Sequence, residues 1–397
     1  MTEFRFSDRF EELELGEQGN LLSEIKKKKD LSNISVIDLV CSNPTKLGLL
    51  FPMEVYSHNV NQSNISEYDP QPLGLDSARG AISNLYQSNG QDIEIAELLL
   101  TASTSEGFSL LLKLLTNPGD EILIPSPGYP LFSYLSIFEN VSPVEYSLVE
   151  DKTGQWSYNL DQVIKKVTSK TKALIIVSPS NPTGSFLKSQ EWQLWLDWSE
   201  KTNIPILLDE VFAPYFHSTL KHYHPSTNKA PLFILNGISK HLALPQLKLG
   251  WIHVQGTEIF KKAAMARLEL LSDTYLSVNS PVQIALSNLL IWSDMIQTLI
   301  KNRIRRNLGI AANLNLNQER IKFHHGQAGW YGWIEIVDSG FETDEFIAEQ
   351  LLFEKNIYTH PGSWYGFPEN KKILVISLIV SEDQFLAGVE GLLSFLK

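Results

Sequence analysis

The sequence lacks the features that mark secreted, membrane-spanning and nucleic-acid-binding proteins. Its 397 residues contain one cysteine, Cys41, so no disulfide can form within the chain, which favours a reducing compartment. No apolar run approaches the ~20 residues needed to cross a bilayer, and residues 1–18 contain no signal-peptide-like segment. The net charge of −12 disfavours a nucleic-acid partner. We therefore expect a cytoplasmic protein that binds neither membranes nor nucleic acid.

What the sequence does contain is enough apolar material for a large core, since 43% of the residues are hydrophobic and 10% are aromatic. Short apolar runs alternate with longer stretches of helical periodicity over the first two thirds of the chain. The runs predict strands at Glu97–Thr101, Glu121–Pro125, Ala173–Ser178, Ile204–Asp209, Leu232–Asn236 and Leu249–Val254. Continuous apolar strands that alternate with helices predict an α/β fold, with a mostly parallel sheet covered by helices on both faces.

The last third of the chain has a different pattern. It is strongly helical from about Gly256, and then predicts strands at Ile321–His325, Trp330–Val337 and Ile373–Leu378, with a helix from Thr343 and another at the end. We predict two domains: residues 46–294 form the large α/β domain, and residues 1–45 together with 295–397 form a smaller α+β domain.

Polar residues follow several of the predicted strands. Thr104 and Ser105 stand where a strand leads into a helix, whose N-terminal N–H groups and hydroxyls can bind an anion. Asn181 lies in a turn after the strand Ala173–Ser178. Asp209 ends another strand, where a partly buried carboxylate requires a cation or strong donors. Because ligands of open α/β sheets bind at the carboxyl ends of the strands, these residues are candidates for one site.

Two lysines complete the set. Lys240 follows a further apolar strand, next to Ser239, and Lys248 comes eight residues later. Lysine is the side chain suited to forming an imine with an aldehyde, and it does so best when it is partly desolvated. Two cations near a strand end could therefore bind one phosphate and form one covalent bond. Each segment alone is more typical of a helix cap, a turn or a solvated charge.

In their order and spacing, these segments resemble the fold-type I pyridoxal-phosphate-dependent aminotransferases of the class I/II family. The resemblance extends through nearly the whole chain, with further similar segments at Ser42–Thr45, Tyr68–Gly74, Asn117–Asp120, Pro127–Pro130 and His360–Gly362. It implies pyridoxal 5'-phosphate as the cofactor, and transfer of an amino group from an amino acid to a 2-oxo acid as the reaction.

The resemblance also implies a role for each site residue. Lys240 would hold the cofactor covalently and act as the general base, and Asp209 would bind the ring nitrogen. Asn181 would donate to the phenolic oxygen and Tyr129 would stack on the ring. The phosphate would be bound by Thr104, Ser105, Ser239 and Lys248, and by Tyr68 from the neighbouring subunit of a homodimer.

Two other functions remain open at this stage. Another enzyme with the same cofactor, a β-lyase or a decarboxylase, would have the same cofactor residues. The fold also occurs as a non-catalytic ligand-sensing module fused to a DNA-binding domain, which the acidic charge disfavours. No metal site is predicted, because His217, His222 and His224 have no cysteine or carboxylate at ligand spacing.

Four positions depart from the family's pattern. Lys248 stands where arginine is common, Phe212 where many members have a tyrosine that donates to the phenolic oxygen, and Gly237 where many have a hydroxyl. Val375 stands where an arginine normally binds the substrate carboxylate, and no arginine follows it in the sequence.

The missing arginine determines the predicted substrate. Asn181 and backbone N–H groups near Gly48 could bind the carboxylate without it, and the alternative cations are Lys371, Lys372 and Arg303. No second anion-binding motif is visible. We therefore expect neutral or hydrophobic amino donors rather than dicarboxylic ones.

Overall fold

The computed structural model describes residues 7–10, 21–62, 68–218, 223–314, 320–337 and 340–396. The helices in this part of the chain are α1 (Leu21–Leu31), α2 (Glu54–Gln62), α3 (Asp76–Ser88), α4 (Thr104–Leu115), α5 (Leu131–Phe138), α6 (Leu160–Ile164), α7 (Ser189–Thr202), α8 (Ile238–His241), α9 (Glu258–Tyr275), α10 (Ser280–Leu290), α11 (Ser293–Asn313), α12 (Asp344–Lys355) and α13 (Glu382–Phe395). None of these helices is both long and apolar enough to span a bilayer.

The strands follow the same numbering in chain order. They are β1 (Ile37–Asp38), β2 (Leu98–Thr101), β3 (Glu121–Ser126), β4 (Ser142–Ser147), β5 (Val149–Glu150), β6 (Trp156–Ser157), β7 (Thr171–Val177), β8 (Ile206–Asp209), β9 (Leu232–Gly237), β10 (Gly250–Gln255), β11 (Ile321–His325), β12 (Tyr331–Ile336), β13 (Ile357–Tyr358), β14 (His360–Pro361) and β15 (Ile373–Ser377).

Seven strands form the central sheet, in the order β2-β10-β9-β8-β7-β3-β4. All neighbours are parallel except β10, which runs antiparallel to both β2 and β9. The central strands β8 and β9 are buried along their whole length, because helices cover both faces. The prediction of a mostly parallel sheet covered by helices is confirmed, and each of the six predicted strands is present.

The strand β4 was not predicted. It lies at the edge of the sheet, pairs only with β3, and is buried at Tyr146 alone. Such a strand has neither a continuous apolar run nor a regular alternation, so hydrophobic patterning does not reveal it.

A smaller antiparallel sheet of order β11-β12-β15-β14 follows the central one. It contains each strand predicted for the last third of the chain, and α12 and α13 come from the two predicted helical segments. The short strand β1 pairs with β13, which brings the N-terminal segment beside this part of the fold. The domain boundaries at 46–294 stay a prediction.

The loop that contains Asn181 meets the β11–β12 connection backbone to backbone. A Cβ at Gly326 would lie 2.2 Å from the carbonyl oxygen of Thr183 and 2.5 Å from Cα of Gly184. Gly184 is equally confined, since its own Cβ would lie 2.3 Å from the carbonyl oxygen of Ala328. The two glycines therefore permit the approach that places β12 beside the carboxyl end of β7.

We expect Gly326→Ala to destabilise the protein by about 1–3 kcal/mol, because the added methyl group must displace backbone rather than a flexible side chain. Gly309→Ala is the control, since its Cβ would meet nothing within 4 Å and alanine is favoured in the helix α11. Urea unfolding of the two variants measures the difference. Equal midpoints for Gly326→Ala and the wild type would contradict the close approach.

Candidate active site

A cavity of about 250 Å³ opens at the carboxyl ends of β7, β8 and β9. Eight of the nine predicted site residues line it: Thr104, Ser105, Tyr129, Asn181, Asp209, Ser239, Lys240 and Lys248. In the sequence they are spread over more than 140 residues, from Thr104 to Lys248. The parallel strands bring them together, because their carboxyl ends share one edge of the sheet.

Lys240 lies in α8, the single helical turn that follows β9. Its backbone carbonyl accepts a hydrogen bond of 2.6 Å from the hydroxyl of Tyr215, which is fully buried, and its Nζ lies 5.2 Å from the centre of the Trp330 ring. Burial lowers the pKa of the Lys240 amine, and the charge of Asp209 only partly opposes this effect. More of the amine is therefore uncharged near neutral pH, as a nucleophile or a base requires.

Asp209 is the last residue of β8 and is 8% exposed. Its carboxylate accepts a hydrogen bond of 3.0 Å from the backbone N–H of Val211. Burial raises the pKa of Asp209 to about 7; the Val211 hydrogen bond and the charge of Lys240 oppose the rise, and the charge of Glu210 adds to it. A cation placed in the cavity would stabilise the ionised form of this buried carboxylate.

The N-terminus of α4 forms the anion-binding side of the cavity. Ser103 caps this helix by accepting a hydrogen bond from the backbone N–H of Glu106, whose side chain accepts one from the N–H of Ala102. Because Ser103 and Glu106 make the cap, the side chains of Thr104 and Ser105 remain at the cavity wall. The positive end of the helix dipole adds to the attraction of an anion.

Lys248 reaches the same side from the loop before β10. Its backbone has a φ of 55°, and it has no ion-pair partner among the residues that the structure describes. Gly250 allows this loop to approach α4, because a Cβ there would lie 3.0 Å from both Ser103 C and Thr104 N. A lysine and a helix N-terminus therefore converge on one anion-sized region.

Asn181 and Tyr129 lie on the remaining walls. Asn181 is 7% exposed, and its Oδ1 is buried without a hydrogen-bond partner within the described part of the chain. An unpaired buried polar atom in a cavity wall indicates a missing ligand, since such groups are otherwise satisfied. Burial and the charge of Asp209 raise the pKa of the Tyr129 hydroxyl, so this ring stays neutral.

The cavity wall also contains Ser42 and Tyr331, which were not among the predicted site residues. Burial raises the pKa of the Tyr331 hydroxyl to about 12, and the neighbouring side chains of Ser42 and Asn181 oppose the rise. Ser42 belongs to the segment Ser42–Thr45, which was recognised without a role for this residue. Tyr331 begins β12, and no local pattern distinguishes it from a core aromatic residue.

At two positions that depart from the family's pattern, 212 and 237, the surroundings fit the residue that is present. Phe212 is buried against the rings of Trp330 and Tyr331, with centroids 5.5 and 6.2 Å away. Gly237 faces the backbone of the next strand, where a Cβ would lie 2.9 Å from the carbonyl oxygen of Leu249. A hydroxyl-bearing side chain at position 237 would therefore require the strands to separate.

Val375 lies in the middle of β15, opposite Trp333 and His360, and its side chain is fully buried. The two candidate cations with a described partner are engaged elsewhere: Lys371 pairs with Glu150 at 2.6 Å, and Arg303 lies 3.7 Å from Glu382. Neither these residues nor Lys372 and Gly48 line the cavity. Lys240 and Lys248 are the only Lys or Arg side chains among its described lining residues.

Tyr68, the ninth predicted site residue, lies apart from the other eight. It is 80% exposed and lines a separate surface pocket with Gly74, Leu276 and Gln283. Among the described residues, no cluster of histidine, cysteine, aspartate and glutamate side chains could hold a metal ion. Of the three histidines considered above, His222 lies outside the described residues.

Comparison with known proteins agrees with this site. The family model described as aminotransferase class I and II matches residues 42–383. The chain is 28% identical over 293 residues to the glutamate-pyruvate aminotransferase AlaA of Haemophilus influenzae, covering 73% of this chain and 72% of that protein. It is 27% identical over 365 residues to the tyrosine aminotransferase of Mus musculus, covering 88% and 79%.

Solved structures show the same fold. An alanine aminotransferase from Pyrococcus furiosus superposes with a TM-score of 0.87 at 23% identity, covering 99% of each chain. At this identity the likeness is evidence for the fold alone, while the match over residues 42–383 identifies the family. The chain is a member of the aminotransferase class I and II family, and thus an enzyme that transfers amino groups of amino acids.

Proposed function

We propose that this aminotransferase binds pyridoxal 5'-phosphate in the cavity at the ends of β7, β8 and β9. Lys240 would hold it covalently, and the enzyme would transfer the amino group of a neutral or hydrophobic amino acid to a 2-oxo acid. The observation that carries the proposal is the convergence of a desolvated amine, a buried carboxylate and an anion-binding helix end on one cavity.

The residues present fit the chemistry of this cofactor, to which the family is generally linked. A molecule with an aldehyde, a ring nitrogen that accepts a proton and a phosphate needs an amine, a carboxylate and an anion site. Lys240, Asp209 and the N-terminus of α4 with Lys248 supply these groups. Asn181 adds an unpaired polar atom and Tyr129 adds an aromatic face.

When bound, pyridoxal phosphate provides an electron sink for the electrons released at the substrate's Cα. Asp209 would hold a proton on the ring nitrogen, because its buried carboxylate is stabilised by a positive charge. The Nζ of Lys240, once displaced by the substrate amine, would be placed to remove the Cα proton and later return a proton. The lowered pKa of the Lys240 amine supports this role, since a general base must be uncharged.

The substrate side of the cavity favours a donor without a second negative charge. With Val375 in the core, the neutral hydroxyls of Ser42 and Tyr331 stand near Asn181 on this wall. These hydroxyls and the amide of Asn181 can donate hydrogen bonds to one carboxylate, at about 1.5–3 kcal/mol net for each bond, because the acceptor is charged. A side-chain carboxylate would be desolvated without a counter-charge, which disfavours aspartate and glutamate.

We also propose a cytoplasmic homodimer. The exposure of Tyr68 supports the dimer, because this residue has to leave its own subunit to reach a phosphate in the other. The single cysteine supports a reducing compartment.

Lys240→Ala and Lys248→Ala separate the two lysine roles. We expect Lys240→Ala to bind the cofactor without a covalent bond and to lose turnover by at least about 10³-fold, because the general base is absent. Lys248→Ala should weaken cofactor binding by about 10- to 100-fold, because a charge-assisted contact to phosphate is lost. Equilibrium dialysis and steady-state kinetics measure the two effects, and an exchange of the two phenotypes would refute the assignment.

A comparison of amino donors tests the substrate side. We expect alanine-like, aliphatic or aromatic amino acids to have a higher kcat/KM than aspartate or glutamate, because the only described lysines that line the cavity, Lys240 and Lys248, are both assigned to the cofactor. The matched control for each donor is the amine that lacks its carboxylate.

Two outcomes of this comparison decide the proposal. A dicarboxylic donor that exceeds every neutral one would reveal a cationic group in the substrate site. An amine that reacts as well as its parent amino acid would show that the carboxylate is not recognised, and the enzyme would then be an amine transaminase.

A further inference from the structure

A second acidic residue, Glu210, directly follows Asp209 and is almost completely enclosed. It is 1% exposed, and it does not line the cavity. Its Oε1 accepts hydrogen bonds from the Tyr86 hydroxyl at 2.5 Å and from Asn236 Nδ2 at 3.3 Å, and its Oε2 lies 2.6 Å from His224 Nδ1. A carboxylate buried this deeply requires such partners.

The surroundings of Glu210 form a connected polar network. The indole N–H of Trp251 donates to the Tyr86 hydroxyl at 3.1 Å, and the His224 ring stacks on His253 with 6.3 Å between centroids. His253 Nε2 in turn lies 3.3 Å from Glu97 Oε2. Burial and the charge of Glu210 raise the pKa of the Tyr86 hydroxyl, so Tyr86 remains a donor to the carboxylate.

Asp209, which lines the cavity, directly precedes Glu210 in the chain. Glu210 is the first residue after β8, and its side chain lies outside the cavity that Asp209 lines. The charge of Glu210 nevertheless acts on Asp209, and after burial it is a further cause of the raised pKa of Asp209. A fixed negative charge behind Asp209 also attracts any positive charge in front of it.

We propose that Glu210 is a positioning residue of this enzyme, which acts through Asp209 to favour a positively charged ring nitrogen in the cavity. The inference rests on the proposed binding of pyridoxal phosphate at Asp209. It assigns a purpose to a buried carboxylate that touches neither cofactor nor substrate.

Several titratable groups surround the two carboxylates. Asp209 faces Lys240, Tyr129 and Tyr158, while Glu210 faces Tyr86, His224, His241 and His253. Burial lowers the pKa of His241, to about 4, and that of His253, so both are uncharged at pH 8. Asp209 is mostly ionised at that pH, because its pKa is about 7. The effect of Glu210 on ligand binding is therefore best measured at pH 8.

The test compares two ligands on the full-length protein after removal of its cofactor. One is pyridoxal phosphate, and the other is its analogue with a C–H group in place of the ring nitrogen. Dissociation constants at pH 8 are measured for the wild type, Glu210→Gln and Asp344→Asn. Asp344 is the matched control, since it is also buried and accepts hydrogen bonds from the N–H and hydroxyl of Ser363, but does not line the cavity.

We expect Glu210→Gln to reduce the preference for pyridoxal phosphate over the analogue by about five- to tenfold, because only the nitrogen-containing ring carries a positive charge. Asp344→Asn should leave the preference unchanged. Equal weakening of both ligands by Glu210→Gln would show a purely structural role and overturn the inference, as would no change in the preference.

Two further outcomes are distinguishable. Should Glu210→Gln not fold, Glu210→Met replaces it, because methionine fills a similar volume without a charge. The same selective loss of preference at pH 8 is expected, and equal weakening of both ligands would overturn the inference. A wild-type protein that binds neither ligand would instead refute the proposed function.

Discussion

The structure depends on the burial of two opposite charges, Asp209 and Lys240, at the ends of neighbouring strands. Burial raises the pKa of the carboxylate and lowers that of the amine, so each group is held closer to its neutral form than it would be in water. The hydrogen bonds from Val211 to Asp209 and from Tyr215 to the Lys240 carbonyl fix both residues in place. Because the two groups stabilise each other only incompletely, the cavity gains from a ligand that accepts a covalent bond at one end and supplies a cation at the other.

Close backbone packing makes this arrangement possible. Gly250 lets the Lys248 loop approach the N-terminus of α4, and Gly184 and Gly326 let the Asn181 loop meet the β11–β12 connection. A side chain at any of these positions would move a wall of the cavity. The geometry of the cavity therefore depends on glycines that carry no reactive group, and β12, which carries Tyr331, can approach the Asn181 loop because Gly326 allows it.

Most of the fold and most of the polar residues that line the cavity at the strand ends could be predicted from the sequence, because buried parallel strands leave continuous apolar runs and polar residues follow them directly. The part of the cavity wall that contains Ser42 and Tyr331 could not be predicted in this way. Ser42 and Tyr331 reach the cavity from opposite ends of the chain, and their positions follow from the packing of β12 rather than from local patterns. The edge strand β4 was missed because only one of its residues is buried. Gly48 does not line the cavity, whereas Ser42, six residues earlier, does.

The most direct test of the central claim is to locate the covalent bond to the cofactor. The purified protein is incubated with pyridoxal phosphate, reduced with borohydride and digested, and the labelled peptide is sequenced by mass spectrometry. The buried, partly neutral amine of Lys240 should carry the label at close to one equivalent per chain, and Asp209→Asn should reduce its formation. A label on Lys248, a label spread over exposed lysines, or no label would contradict the assignment of this cavity as the catalytic site.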